Sequence, residues 1–528
     1  MKNKKRNILR LIRTVLAALF FTGVTLLFLD VTGTLHTWLG WMAKIQILPA
    51  FLALNVATVV VLLLLTLILG RVYCSVICPL GVMQDIISWT RGKIKKKDRF
   101  RFRYVKNRPW LRIAFLVLFI VTMAFGVSAI AGILAPYSTY GRIAQNLFAP
   151  VYTLGNNLIA WICSRFDSYA FYSREVWIRS ISTFAVSAAT FVLLAVLAWR
   201  NGRTWCNNVC PVGSVLGFIS KFSLFAPVID TSKCRSCGLC SRQCKASCID
   251  IANFKVDTSR CVSCMDCIST CNDGAIRYRF RYGQAAGKIR MREEQKDKVP
   301  GPEQEQKGKG PGPEQEPKGP DTGRRAFLVG AALIGASSLK AQQKEVTERL
   351  APERRHKVPK RETPLVPAGS ASLKHFTDHC TACQLCVNTC PNNVLRPSSS
   401  LERFMQPEMS YERGYCRPEC TECSKVCPAG AIIEISPQEK ASTQIGHAIV
   451  DYSLCVVNTD SVHCGNCAKH CPAGAISMVP ADPKDSKSAR IPSVDESRCI
   501  GCGACENLCP SAPYPAIHVE GHEVHRTI

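Results

Sequence analysis

Apolar residues in the first 200 positions gather into four runs, near Val15–Leu29, Ile47–Gly70, Leu111–Ala135 and Ile181–Trp199, almost free of charge on every face. A helix that is apolar all round offers no face to water, and the longer runs reach the ~20 residues that cross a hydrocarbon layer. The pattern predicts a four-span membrane α-helical domain. Lys2, Lys4, Lys5, Arg6, Arg10 and Arg13 precede the first run, and Lys93, Lys95, Lys96, Lys97, Arg99, Arg101 and Arg103 crowd the second loop. The first loop holds only Lys44, and the third spreads four Arg over a longer stretch. Basic short loops stay inside, so both ends of the domain are expected on the cytoplasmic face. No small-residue cleavage site follows the basic start, which predicts an uncleaved anchor rather than a signal peptide.

The domain reads as a duplication. Tyr73-Cys74-Ser75-Val76-Ile77-Cys78-Pro79-Leu80-Gly81 closes the second run and Trp205-Cys206-Asn207-Asn208-Val209-Cys210-Pro211-Val212-Gly213 closes the fourth. Each half is two helices and then C-x-x-x-C-P-x-G, a parallel repeat that implies a pseudo-two-fold axis along the membrane normal. The expected boundaries are 1–230 for the helical domain and 231–285 for a first Cys-rich module. A Pro/Gly/Gln/Glu/Lys tract at 286–323 has too few apolar residues to repay ordering and reads as a disordered linker. A short apolar segment (324–340), a second linker (341–373) and a second Cys-rich module (374–528) complete the chain.

Composition sharpens this picture at one point: 30 of the 528 residues are Cys. Four quartets have the spacing C-x-x-C-x-x-C-x-x-x-C: Cys234, Cys237, Cys240, Cys244; Cys261, Cys264, Cys267, Cys271; Cys380, Cys383, Cys386, Cys390; and Cys499, Cys502, Cys505, Cys509. Two are stretched at the front: Cys416, Cys420, Cys423, Cys427 and Cys455, Cys464, Cys467, Cys471. Three Cys at two-residue intervals wrap a loop around three corners of a cubane, and the fourth reaches the other cluster of a pair. Zinc sites instead show two C-x-x-C pairs separated by a longer loop. The quartets therefore predict about six [4Fe–4S] clusters in two α+β ferredoxin-like modules, the first two quartets forming one two-cluster unit. Pro391, Pro428, Pro472 and Pro510 follow their fourth Cys, as in bacterial ferredoxins. A formal charge of +27 would invite nucleic acid, but clusters of about −2 each remove roughly twelve units and no basic–aromatic stripe is present, so no nucleic-acid partner is expected.

Six Cys remain. Spacing i, i+4 puts Cys74 with Cys78, and Cys206 with Cys210, each on one helix face. They are redox candidates or ligands of a further metal centre; the other reading is a packing motif with free thiols. Cys163 and Cys248 read as incidental. The chain has no C-x-x-C-H for haem, no G-x-G-x-x-G after a strand and no P-loop, so its chemistry is electron carriage.

Residues 1 to about 280, with duplicated C-x-x-x-C-P and two cluster motifs, resemble the NapH-type membrane subunit of periplasmic nitrate reductase systems. Residues from about 321, with Arg324-Arg325-Ala326-Phe327-Leu328 before an apolar stretch, resemble the NapG-type (MauM/NapG) four-cluster subunit with its twin-arginine export signal. The resemblance implies a fused quinol dehydrogenase in the bacterial inner membrane, exchanging electrons with membrane quinol and passing them to a cytochrome or terminal reductase. The basic loops put the first module on the cytoplasmic face; the twin-arginine grammar puts the second on the periplasmic face, whereas by length alone the apolar segment Ala326–Leu339, shorter than a spanning helix, would leave all six clusters in the cytoplasm. In such four-cluster subunits the first motif pairs with the fourth and the second with the third. Cys390 would then serve the cluster of Cys499, Cys502 and Cys505, Cys509 the reciprocal one, and the inner pair would exchange Cys427 and Cys471. Lys245 and Asn272 depart from the usual Pro after the fourth Cys. Two rival functions remain: a membrane-bound metal-centre or thiol reductase in enzyme maturation, and a relay from a soluble donor that never meets quinone. His36, Gln84, Asp85 and Arg142 lie near the expected membrane surfaces but read as structural more readily than as quinone ligands. Anaerobically purified protein should carry about 24 Fe per chain in mutually coupled [4Fe–4S] clusters by electron paramagnetic resonance; stoichiometric zinc instead would overturn the central reading.

Overall fold

The computed structural model describes residues 8–30, 33–94, 101–168, 170–282, 356–485 and 488–528. The expected linker 286–323, the twin-arginine segment 324–340 and residues 341–355 lie outside the described residues. The chain divides into two compact units, the larger holding 1–282, 358–511 and 515–528. The smaller, 283–357 with 512–514, falls almost wholly outside the described residues.

The helical domain opens with α1 (Ile8–Leu29), then α2 (Thr34–Leu39), α3 (Trp41–Lys44), α4 (Ile47–Leu52), α5 (Val56–Leu69), α6 (Val72–Val76) and α7 (Pro79–Ile94). The second half runs α8 (Pro109–Ala124), α9 (Ser128–Leu134), α10 (Pro136–Ile143), a π-turn Ala144–Phe148, α11 (Ala149–Ser164), α12 (Ile181–Asn201), α13 (Thr204–Asn208) and α14 (Pro211–Ser220). Among the described residues two helices, α1 and α12, are long and apolar enough to cross a membrane. The other two expected spans are each broken. Leu54, with φ 53°, ends α4, and the Asn55 side chain accepts the Thr58 N–H at 3.2 Å to cap α5. Such a cap satisfies an orphan donor of the new helix, so the chain restarts there instead of running on. The third run breaks at Phe125–Val127, where Gly126 has φ 70°.

Both Cys-rich modules are built from short antiparallel pairs and short helices, the α+β ferredoxin-like pattern. In the first, β1 (Phe225–Ile229) pairs with β4 (Ile276–Phe280), Phe225 facing Phe280 and Ile229 facing Ile276. Between them lie α15 (Leu239–Gln243), the hairpin β2–β3 (Ile249–Asp250, Lys255–Val256) and α16 (Asp266–Thr270). The second contains α17 (Leu373–His379), α18 (Leu385–Thr389) and the pairs β5–β6 (Leu395–Pro397, Pro407–Met409), β7–β10 (Thr443–Val450, Ile517–Thr527) and β8–β9 (Ile476–Pro480, Arg490–Val494).

The modules pack against opposite ends of the two long helices. Near the start of α1, Arg10 Nε meets Asp266 of the first module at 2.8 Å. Just past its end, Asp30 O accepts from Asn388 Nδ2 of the second at 3.2 Å. The 22 residues of α1 span about 33 Å. Along α12, which runs the other way, the order reverses: Arg179 before it lies within electrostatic reach of Cys386 and Cys390 of the second module, and Arg203 after it donates its N–H to Lys245 O of the first at 2.9 Å.

Lys245, in the place of the usual Pro, has a use in this contact. Its amine lies 3.0 Å from Asp266 and 3.7 Å from Asp85, bridging the first module to α7. Burial alone would lower its pKa, but the two carboxylates outweigh burial and raise it. Lys245→Met should cost about 3 kcal/mol by leaving buried carboxylates short of a partner. Thermal melts in detergent, with faster hydrogen exchange in residues 231–282, would register the loss; an unchanged melt would remove Lys245 from the docking contact.

Candidate metal centres

The four unstretched quartets share one backbone pattern. The residues flanking the second Cys are all left-handed: Ser236 and Gly238, Ser263 and Met265, Ala382 and Gln384, Gly501 and Gly503, with φ between 50° and 79°. Non-glycine residues hold that conformation at a cost of order 1–3 kcal/mol unless their surroundings compel it. Here it turns backbone N–H groups inward. Cys261 accepts from Ser263, Cys380 from Ala382, Cys383 from Leu385, Cys499 from Gly501 and Cys502 from Ala504. After the fourth Cys the chain turns back, and Ala275 N donates to Cys271 Sγ and Ala475 N to Cys471 Sγ, each at 3.3 Å. The Gly-Ala-Ile segments thus bring a donor to the sulfur as well as apolar cover. A nest of amides aimed at sulfurs is what an anionic cluster requires.

The thiols converge in sets that exchange their fourth member. Cys240 lies in reach of Cys234, Cys237 and Cys271, and Cys267 of Cys261, Cys264 and Cys244. In the second module Cys427 joins Cys380, Cys383 and Cys386, while Cys390 joins Cys416, Cys420 and Cys423 around a cavity. Cys509 lines a cavity with Cys455, Cys464 and Cys467, and Cys471 lies beside Cys499, Cys502 and Cys505. This corrects the pairing implied by the resemblance: the first motif pairs with the second and the third with the fourth. The hairpins β5–β6 and β8–β9 set it, each folding the following motif back onto the preceding one as β2–β3 does in the first module. Within the second module the two cluster pairs meet where Cys416 N donates to Cys502 O at 2.9 Å. Among the described residues no three His, Cys, Asp or Glu side chains close on a single ion.

Cys74, Cys78, Cys206 and Cys210 also converge, all buried, each within electrostatic reach of the others. Cys78 and Cys210 precede Pro79 and Pro211 at the first turns of α7 and α14, and Gly213 N donates to Cys210 Sγ at 3.3 Å. A Cβ on Gly81 would stand 2.3 Å from Cys74 O, and one on Gly213 2.2 Å from Cys206 O, so the motif needs glycine. The sequence reading missed two arginines, although R-x-x-C-x-x-x-C-P is written in both halves. Arg71 Nη2 donates to Cys206 O at 3.1 Å and lies 3.7 Å from Cys74 Sγ. Arg203 Nη1 donates to Cys74 O at 2.8 Å and lies 3.9 Å from Cys206 Sγ. Each arginine thus reaches across to the other half. Burial pushes the Cys206 thiol up, and Arg203 and Arg71 pull it back.

The four residues weighed for quinone are engaged elsewhere. Asp85 takes both Arg203 Nε and Nη2 at 2.8 Å, and also Arg13. Burial would raise its pKa, but Arg203, Lys245 and Arg13 hold it well below the carboxylate range. Gln84 Nε2 donates to Cys206 Sγ at 3.2 Å, Arg142 donates to Gly132 O at 2.9 Å and Ala382 O at 3.5 Å, and His36 meets Asp30 at 3.3 Å. Cys248 is not incidental: its sulfur lies 3.5 Å from Cys244 Sγ and bonds to Cys261, two ligands of one set. Lys440, buried, donates to Cys416 Sγ at 3.2 Å and to Arg417 O at 2.7 Å.

A family model for a 4Fe-4S binding domain matches residues 51–97 and 183–227, which enclose the two C-x-x-x-C-P motifs. One for a 4Fe-4S dicluster domain matches 379–431 and 462–512, enclosing the two pairs of the second module. An uncharacterised protein of Methanocaldococcus jannaschii is 24% identical over 273 residues, 52% of this chain and 88% of that one. The methylamine utilization ferredoxin-type protein MauN of Methylorubrum extorquens is 30% identical over 202 residues, 37% of this chain and 54% of that one. The ferredoxin-type protein NapF of Escherichia coli is 28% identical over 156 residues, 30% of this chain and 86% of that one. The chain thus spans only about half the length of that MauN relative. No solved structure matches. Sequence families and geometry agree on the class: this is an iron–sulfur protein of ferredoxin type that carries several [4Fe–4S] clusters and transfers electrons to or from redox partners.

Replacing Lys440 by Met removes a charged donor from a cluster ligand, an interaction worth about 1.5–3 kcal/mol. The cluster of Cys416, Cys420, Cys423 and Cys390 should then titrate about 65–130 mV lower, since 59 mV is a factor of ten for one electron. Redox titration followed by electron paramagnetic resonance checks this; an unshifted midpoint would assign Lys440 to packing alone.

Proposed function

We propose that the chain is a membrane-spanning electron conduit of quinol dehydrogenase type, a fusion of NapH-like and NapG-like parts. The helical domain crosses the cytoplasmic membrane four times, with two crossings made by broken helices. The first module lies on the cytoplasmic face and the second on the periplasmic face. The six exchanged thiol sets hold six clusters, and the membrane quinol pool exchanges electrons with a cytochrome or terminal reductase through them. The observation that carries this reading is the docking of the two modules at opposite ends of both α1 and α12, with the buried thiol quartet in the domain between them.

The quartet serves as a seventh station, which adds about four Fe to the 24 of the six ferredoxin sets, about 28 in all. Arg71 supplies a direct link, touching Cys74 Sγ on one side and Ser259 O of the first module at 3.1 Å on the other. On the far side, α10 separates it from the second module, whose Cys383 O comes within 2.6 Å of a Cβ built on Gly141. Two buried arginines offset the charge of a thiolate-bound core there. Burial of all four thiols argues against the rival thiol reductase, because a substrate disulfide could not reach them.

In proteoliposomes, dithionite outside should reduce ferricyanide trapped inside through the wild-type protein. Cys74→Ser or Cys206→Ser should abolish that transfer and remove about four Fe while the six ferredoxin sets stay loaded. Wild-type transfer in both variants would return these Cys to packing.

A further inference from the structure

After five of the fourth cysteines the chain turns back in the same way. Three residues on stands a left-handed residue, Ser247, Gly274, Asn393, Gly430 or Gly474, with φ between 52° and 71°. In four of these loops the next residue is a buried aliphatic one, Ala275, Val394, Ala431 or Ala475. Ala275 and Ala475 each give their N–H to the fourth sulfur. In the first loop that place is taken by Cys248, 1% exposed. Its N–H also reaches the Cys244 sulfur. Its side chain adds what alanine lacks: a sulfur 3.5 Å from Cys244 Sγ and hydrogen-bonded to Cys261. Cys244 and Cys261 belong to one set with Cys264 and Cys267. Five thiols therefore gather where a cluster takes four. The turn that carries Cys244 and Cys248 is fixed in place. Lys245 O accepts the Arg203 N–H at 2.9 Å, Ala246 O accepts from Asn207 Nδ2 at 3.3 Å, and Cys248 O accepts the Asp257 N–H at 2.8 Å. Both sulfurs thus stem from one pinned turn, and neither travels far to take the other's place.

Resting on the assignment of the six cluster sets but not on the quinol reading, we propose that Cys248 is a reserve fourth ligand for the site of Cys261, Cys264 and Cys267. Cys244 is the resting ligand, because its sulfur accepts the N–H groups of Ala246, Ser247 and Cys248, and such donors favour a thiolate. Cys248 stands beside it as a thiol. In the exchange the Fe–S bond to Cys244 breaks, one to Cys248 forms, and the proton of Cys248 passes to the departing Cys244 sulfur. Neither iron nor sulfur changes oxidation state, so the step calls for no further reactant. Where residue 244 offers no sulfur, Cys248 binds as the thiolate and its proton goes to water.

The test compares iron and sulfide content and electron paramagnetic resonance spectra of the full chain, purified anaerobically in detergent. Cys244→Ala should keep its full iron. Cys271→Ala, with Ala275 in the corresponding place, should lose between about one and four Fe, leaving a three-iron core or an empty site. Adding Cys248→Ala to Cys244→Ala should bring the same loss, and Cys248→Ala alone should bring none. Iron lost from folded Cys244→Ala overturns the proposal. Full iron in the double variant or in Cys271→Ala overturns it too, since retention then needs no fifth thiol. Where Cys244→Ala does not accumulate as folded protein, a transplant decides: Ala275→Cys added to Cys271→Ala should restore the missing iron. A transplant as short of iron as Cys271→Ala overturns the proposal. Wild-type protein about eight Fe short, without the spectra of the first module, overturns the cluster assignment and the reserve ligand together.

Discussion

Four thiolates around an iron–sulfur core carry a net charge of about −2 into places with little water, and that charge must be met on the spot. Much of the structure is arranged around it. In the ferredoxin modules the answer is backbone amide, supplied by left-handed residues such as Ala382 and Gln384 that turn N–H groups toward sulfur. Where the loop is stretched, at Cys416, a buried lysine takes over. In the helical domain, if the thiol quartet holds a core as proposed above, the answer is a pair of arginines beside the Gly213 N–H that reaches Cys210 Sγ. One electrostatic demand thus has three solutions, chosen by what the local backbone can offer.

The crossed arginines also bind the halves of the duplication together. Arg71 and Arg203 each hold a carbonyl of the opposite C-x-x-x-C turn, and Arg203 grips Asp85 of α7 with two nitrogens. Lys245 then extends the network to Asp266, and Asp266 to Arg10 of α1. Helix, thiol turn and first ferredoxin module are thereby locked through one string of alternating charges. A change at Arg203, Asp85, Lys245 or Asp266 should be felt at the others, because losing a partner there leaves a buried charge.

The cluster quartets were legible from the sequence because ligation is local: three Cys at two-residue intervals are meaningful whatever the tertiary fold. The exchange of the fourth ligand was less so. Which motifs pair depends on the hairpins β5–β6 and β8–β9, whose strands are three to five residues long and leave little periodic signal. The four apolar runs were read as four spanning helices, of which two, α1 and α12, are long and apolar enough to cross a membrane among the described residues. The breaks at Leu54–Asn55 and Gly126 were not read, since a run without polar positions has no phase to lose when a turn interrupts it. Arg71 and Arg203 stood in plain view three residues before each C-x-x-x-C. The motif was read from its Cys, Pro and Gly alone, and so the pairing of these arginines with sulfur was passed over.

The exchange of fourth ligands has a bearing on how the protein is made. Cys244 belongs to one loop by sequence and to the other loop's thiol set in space, as do Cys390 and Cys427. A loop that receives its iron alone still lacks one corner until its neighbour has folded around it. Assembly therefore proceeds in pairs, and so does damage: oxidation that strips one core frees a thiol the adjoining core does not own and unties the segment that carries the neighbour's own fourth ligand. The smallest unit that can be matured, lost or repaired in these modules is two clusters.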